Sequence, residues 1–125
     1  MPIRPELDAD MSVLVGTGTV GADDIMELMS DWYPRYPTAI TLYDPRSASM
    51  SRLDATDLPR LAAHGLQFAE ARGGARKTAI VVNPDTADRL IISAFQALQE
   101  TMSPIRMQLF HDIQEARAWL RDGGN

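Results

Sequence analysis

Few residues in this chain carry chemistry by type and spacing. Gly16-Thr17-Gly18-Thr19-Val20-Gly21 matches G-x-G-x-x-G, with an apolar stretch before it and an amphipathic one after it. Such a run can cradle a pyrophosphate, because glycine lets the backbone approach closely and the following helix offers unpaired N–H groups. An acid about 20 residues further on would take the ribose hydroxyl, and Asp44 stands near that distance. Two features oppose this chemistry. Asp23 and Asp24 fall in the first turn of the following helix, where they repel a phosphate. Thr17 and Thr19 favour a strand that runs on to residue 19. The chain also lacks room for two mononucleotide-binding halves. The run therefore reads as a glycine-bearing strand entering a turn, and dinucleotide binding through Gly16–Gly21 is kept as a remote alternative.

The remaining inventory points away from catalysis. There are no cysteines, so thiolate catalysis, disulfides and cysteine metal sites are excluded. The two histidines, His64 and His111, have no companions at metal-ligand spacing. No nucleophile elbow, P-loop or zinc-helix pattern occurs. The expectation is no enzyme, no catalytic residue, no cofactor and no metal. Arg72, Arg76 and Lys77 flank Gly73-Gly74 as a small basic cluster, which either solvates a turn or holds an anion weakly. In open α/β sheets, ligands bind at the carboxyl ends of the strands. Here that edge would gather Asp44, Arg46 and Ser47 from one loop, Asn83 from a second and His111 from a third. Ordinary caps and turns explain the same residues, with Asn83 and Asp112 as N-caps.

The elements that must position these residues follow from hydrophobic period. Ile3 to Leu7, interrupted by Pro5, and Met11 to Thr19 read as an N-terminal hairpin about Asp8-Ala9-Asp10. Ile25, Leu28, Met29 and Trp32 make one face of a helix over Ala22 to Tyr33, ended by Pro34 and Pro37. Thr38 to Tyr43 reads as a strand and Asp44 to Ser51 as a polar loop. A second helix is expected from Asp54 or Thr56 to Gly73-Gly74, burying Leu58, Leu61, Ala62, Leu66 and Ala69. Lys77 to Val82 is apolar enough for a strand covered on both faces. Asn83-Pro84 then opens a third helix with the stripe Ile91, Ala94, Phe95, Leu98 and Met102. Ile105 to Phe110 alternates as the last strand. Asp112 and Glu115 form a capping box for a last helix that buries Ile113, Ala116, Trp119 and Leu120 and stops at Gly123-Gly124. The order is β-β-α-β-α-β-α-β-α, an α/β class with a mixed, mostly parallel sheet.

At 125 residues the chain reads as one domain spanning 1–125. A net charge of −5 without a basic stripe disfavours nucleic acid and anionic lipid surfaces. No apolar run has the length of a membrane span, and the first residues lack the apolar stretch of a signal peptide. With no cysteine, these features lead us to expect a cytoplasmic location. Trp32, Tyr33 and Tyr36 crowd a helix end, which suits a homodimer interface if they are exposed.

The chain resembles the STAS superfamily, the SpoIIAA-like fold of anti-sigma-factor antagonists, and in particular small bacterial STAS/SEC14 domain-containing proteins. The resemblance rests on the N-terminal hairpin, VGADDIMELM, AITLYD ending in Asp44, KTAIVVNPDTADRLIISAFQAL and IRMQLFHDIQEARAWL. It covers nearly the whole chain. It implies a hairpin feeding four β-α units and a non-enzymatic regulatory module with a protein partner, such as an anti-sigma factor or a kinase-like regulator. In such antagonists a phosphorylated serine opens the second helix in an Asp-Ser-Ser/Thr-Gly context. The matching stretch here is Leu53-Asp54-Ala55-Thr56-Asp57-Leu58, so Asp54 corresponds to the family acid and Thr56 to the switch. Ala55 and Asp57 depart from the motif, and plain N-capping by Thr56 or Asp54 explains the same residues. The SEC14-like relatives imply an alternative, a carrier of an apolar small molecule such as a lipid. The seven methionines, Met26, Met29, Met50, Met102 and Met107 among them, would then line its pocket.

Overall fold

The computed structural model describes residues 2–122. Strands β1 (Ile3–Asp8) and β2 (Met11–Thr19) are followed by α1 (Ala22–Trp32), β3 (Ile40–Ser49), α2 (Asp57–Gln67), β4 (Lys77–Val81), α3 (Arg89–Met102), β5 (Arg106–Phe110) and α4 (Ile113–Arg121). The sheet order is β1-β2-β3-β4-β5, with β1 antiparallel to β2 and the remaining pairs parallel. This is the expected hairpin feeding four β-α units. Gly123-Gly124, expected to stop α4, lie outside the described residues.

The helices divide unequally between the two faces. Alternate strand residues Leu14, Tyr43, Ile80 and Met107 pack against α1, α2 and α3 through Leu28, Trp32, Leu61 and Ile92. On the other face Met11, Val13, Leu42, Ala79 and Val81 pack against Ala116 and Leu120 of α4. Burying both faces explains why β4 reads as an unbroken apolar run.

Several boundaries differ from the sequence expectation, and tertiary contacts account for each difference. Asp44 to Ser51 is not a loop: β3 continues to Ser49, pairing Ser47, Ala48 and Ser49 with Thr17, Gly18 and Thr19. The long β2 supplies the edge that this polar stretch needs. The pairing shifts register between Val15 and Thr17, where a Cβ on Gly16 would stand 3.2 Å from the Ala48 Cβ. Only glycine permits that approach without displacement. The second helix ends at Gln67, short of Gly73-Gly74, and Leu66 is 39% exposed. Gly73 and Gly74 instead take positive φ in the turn that leads to β4.

The third helix begins at Arg89, so Asn83 is not its cap. Asn83 Nδ2 donates to the Arg46 carbonyl at 3.3 Å, and the Asp88 carboxylate accepts the Met50 N–H at 3.0 Å. These bonds to the β3–α2 connection hold residues 83–88 out of helical register. The buried side of α3 falls on Ile92 and Gln99, with Ile91 and Phe95 half-buried, leaving Ala94 and Met102 exposed. Asp112 caps α4 by accepting the Gln114 N–H at 2.7 Å, and among the described residues Glu115 returns no bond.

Polar side chains tie the layers together. Trp32 Nε1 donates to Ser12 Oγ at 2.8 Å. Tyr33 and Thr41 share a hydrogen bond of 2.7 Å between their hydroxyls. Trp32 and Tyr33 are therefore core residues, and only Tyr36 of the three aromatics is exposed, stacked on Trp32 at 4.3 Å. His64 bridges α2 to α1 through Ser30 Oγ at 2.9 Å and the Met26 carbonyl at 3.0 Å. Lys77, 1% exposed, donates from Nζ to the carbonyls of Trp119 at 2.7 Å and Asp122 at 2.8 Å. It thereby fastens the start of β4 to carbonyls at the end of α4. Replacing Lys77 by Met keeps the stem and removes both bonds to the end of α4. A loss of about 1–3 kcal/mol is expected in urea unfolding, with faster amide exchange in α4 than in α1.

Candidate functional site

The parallel strands deliver their carboxyl ends to one edge of the sheet, and two polar clusters form on the connections that follow. The first is built on β3. The half-buried Asp44 carboxylate accepts both Nε and Nη2 of Arg46, at 2.8 and 2.9 Å, and the Arg46 backbone N–H at 3.2 Å. Burial pushes the Asp44 carboxyl up, but these bonds outweigh it and leave the group below its ordinary value. Arg46 is raised, first by its bond to Asp44 and further by the charges of Asp44 and Asp112. Asn83 joins through the Arg46 carbonyl. Asp44, Arg46 and Asn83 are thus together, as expected. Ser47 is exposed but is a strand residue paired with Thr17, and the exposed His111 bonds the Val82 carbonyl through Nδ1 at 3.0 Å.

The second cluster opens α2. Asp54 Oδ1 accepts both the backbone N–H and the hydroxyl of Thr56. The Asp54 N–H donates to Asp57 Oδ2 at 3.0 Å, and Asp57 pairs with Arg60 at 3.1 Å. Asp54 is held below the usual carboxylate range, first by the Thr56 hydroxyl and then by the Thr56 N–H. Thr56 itself makes no side-chain cap bond to the helix. Both residues are exposed. The simple N-cap explanation of Thr56 therefore fails: its hydroxyl is turned back onto Asp54. The Met50–Asp88 bond ties this connection to the start of α3, whose Leu90 is 84% exposed.

The glycine run is strand and turn, with its phosphate seat already filled. The Gly21 N–H at the start of α1 donates to Asp24 Oδ2 at 2.8 Å, and Arg52 stands 3.9 Å from the same carboxylate. Of the basic trio, Arg72 and Arg76 border one open groove with Arg35, while Lys77 points to α4 instead. Arg72 and Lys77 are buried and engaged in different layers, and only Arg76 is exposed.

Periodicity did not reveal a cavity of about 120 Å³ between the sheet and α1, α2 and α3. Met29, Met50 and Met107 line it, whereas Met26 packs half-buried in the core and Met102 is exposed. Its polar lining is Thr41, Tyr43, Thr78, Arg72 and Gln99. Gln99 occupies a core position in an apolar helix stripe, and that mismatch is the one sequence signal that could have marked the cavity. Among the described residues no three His, Cys, Asp or Glu side chains are placed to hold a metal, and no helix is long and apolar enough to cross a membrane.

The Asp44 ion pair has a calculable pH signature. Its folded-state pKa lies below the unfolded value of about 4, so its stabilisation is present above that pH and is lost as pH falls through the folded value. Asp44→Asn is expected to lower stability by about 1 kcal/mol at neutral pH, after discounting for solvent screening. Thermal unfolding of the two proteins should converge as pH falls through the lowered folded-state value of Asp44.

No protein-family model matches the chain, and no curated protein matches it significantly. Solved structures do. An anti-sigma factor antagonist from Mycobacterium paratuberculosis superposes with a TM-score of 0.58 at 19% identity, over 96% of this chain and 93% of that one. The anti-sigma factor antagonist SpoIIAA in its unphosphorylated form gives a TM-score of 0.58 at 12% identity, over 96% and 98%. An uncharacterised protein of the DUF3478 family from Shewanella loihica PV-4, with a SpoIIAA-like fold, gives 0.54 at 15% identity, over 94% and 91%. With its antiparallel β1, four parallel strands and four helices, the chain has the SpoIIAA-like fold.

Proposed function

We propose that this chain is a non-enzymatic regulatory domain that docks a protein partner through the β3–α2 connection and the start of α2, in the manner of an anti-sigma-factor antagonist. The observation that carries this reading is the turn at Asp54 and Thr56. Thr56 is exposed at the N-terminus of α2, and its hydroxyl is held by an ionised neighbour. A phosphate added there would lie at the positive end of the helix dipole, yet would remove the bond to Asp54 and face the charges of Asp54 and Asp57. Phosphorylation would therefore open the turn, which is how a partner's access can be switched. The exposed Leu90 supplies apolar area on the adjoining helix start. The partner is a protein such as an anti-sigma factor or a kinase-like regulator.

A pull-down from native extract with quantitative mass spectrometry tests this reading. Wild type is expected to retain a specific partner, and Thr56→Asp to lose it by about tenfold or more. Equal behaviour of the two proteins, or no partner for either, overturns it. A second reading, carriage of a small apolar molecule, is supported by the cavity beneath α1, α2 and α3. Its volume suits a compact molecule rather than a lipid with long acyl chains.

A further inference from the structure

Arg72 lies at the wall of the cavity and is 4% exposed. Buried charges are normally paired with an opposite charge. Yet among the described residues no carboxylate forms an ion pair with Arg72. Its guanidinium donates from Nε to the Thr38 carbonyl at 2.7 Å and from Nη2 to Thr41 Oγ1 at 2.8 Å, and stands 4.0 Å from the centre of the Tyr33 ring. A guanidinium carries five N–H donors, so capacity remains at Nη1, and Arg72 borders both this cavity and the open groove that Arg76 lines.

Two further cavity-lining groups are buried without partners: Gln99 Oε1 and Tyr43 Oη. Buried polar atoms are nearly always bonded, so orphans that line a cavity point to a ligand. The topology places the two orphans at opposite ends. Gln99 lies in the last turn of α3, just before β5, and Arg72 reaches the residues just before β3; both are at the amino ends of the strands. Tyr43 Oη lies towards the carboxyl ends, 3.4 Å from where a Cβ on Gly16 would be. There the charges of Asp88, Asp24 and Asp44 act on it and would repel an anion.

We propose that this cavity binds a small monocarboxylate with a compact apolar body, its carboxylate set against Arg72 and Gln99 and its body among Leu14, Ile80, Phe95 and Met107. The proposal rests on the carriage reading and adds the chemical class of the cargo. A carboxylate would complete the buried guanidinium with a charge-assisted bond. The Gln99 amide, which makes no other hydrogen bond, would turn its Nε2 towards the ligand. The size agrees, since an apolar cavity of about 150 Å³ accepts benzene. A single aromatic ring or a short branched chain fills the available 120 Å³.

Titration calorimetry on the purified full chain tests the proposal, with benzoate as probe and benzyl alcohol and toluene as its neutral counterparts. Benzoate is expected to bind at least about tenfold more tightly than benzyl alcohol, the worth of one charge-assisted bond. Amide shifts in nuclear magnetic resonance spectra should centre on Thr41, Arg72, Thr78 and Gln99. Gln99→Leu should cut the ratio of benzoate to toluene affinity by about tenfold, the worth of one charge-assisted bond. This variant fills a core position with an apolar side chain, so it keeps the test open should Arg72→Met fail to fold. If the neutral probes bind as well as benzoate, or Gln99→Leu leaves the preference intact, the carboxylate assignment is overturned and the carriage reading stands. If no probe binds at millimolar concentration, both are overturned.

Discussion

Strands β3 and β4 lie between two apolar layers of unequal size. Leu42, Ala79 and Val81 face one helix, while Tyr43 and Ile80 face three. Burial on both sides leaves little solvent to satisfy backbone groups, so Ile40–Tyr43 of β3 and Lys77–Ile80 of β4 depend on the parallel ladders beside them. The parallel ladders in turn require helical crossovers, and these place the carboxyl ends of β2 to β5 at the same edge. The edge that carries Asp44, Arg46 and Asn83 is therefore a consequence of how the two central strands are buried.

The larger face is held by polar side chains as well as by apolar area. Ser12, Trp32, Tyr33, Thr38, Thr41 and Arg72 form a connected set between the sheet and the α1 layer. Each bond satisfies a group that burial would otherwise leave costly. The same face contains the cavity and its two orphaned atoms. Dense polar pairing beside unfilled space is unusual in a close-packed interior. The smaller face shows no such feature: α4 is fastened by Lys77 at its end and by Arg117 and Arg121, which reach Asp8 of β1.

Much of the fold was legible from period and punctuation. The stripe Ile25, Leu28, Met29 and Trp32 and the alternation of β5 are local signals that tertiary contacts reinforced. The polar end of β3 was not legible. Residues 44–49 carry little β propensity of their own and become strand because β2 extends alongside. The start of α3 was misread for a related reason. Asn83-Pro84 has the chemistry of a helix start, but Asn83 and Asp88 bond to the β3–α2 connection instead. At the candidate site, proximity in sequence revealed the Asp44–Arg46 pair and the Asp54–Thr56 turn, whereas Arg72 read only as part of a basic cluster that either solvates a turn or holds an anion weakly, with no sign of its burial.

The sequence by itself determined the order of elements, the orientation of the strands and the acidic start of the helix after the glycine run. Each of these follows from residues close together in the chain: hydrophobic period, turn residues, and Asp23 and Asp24 beside Gly21. Only the tertiary structure decided where β3 ends, where α3 begins and which polar groups are buried. Those outcomes depend on hydrogen bonds and packing between residues distant in sequence. Arg72 with Thr38 and Thr41, Met50 with Asp88, and Gln99 against the cavity carry no signal until the layers close around them.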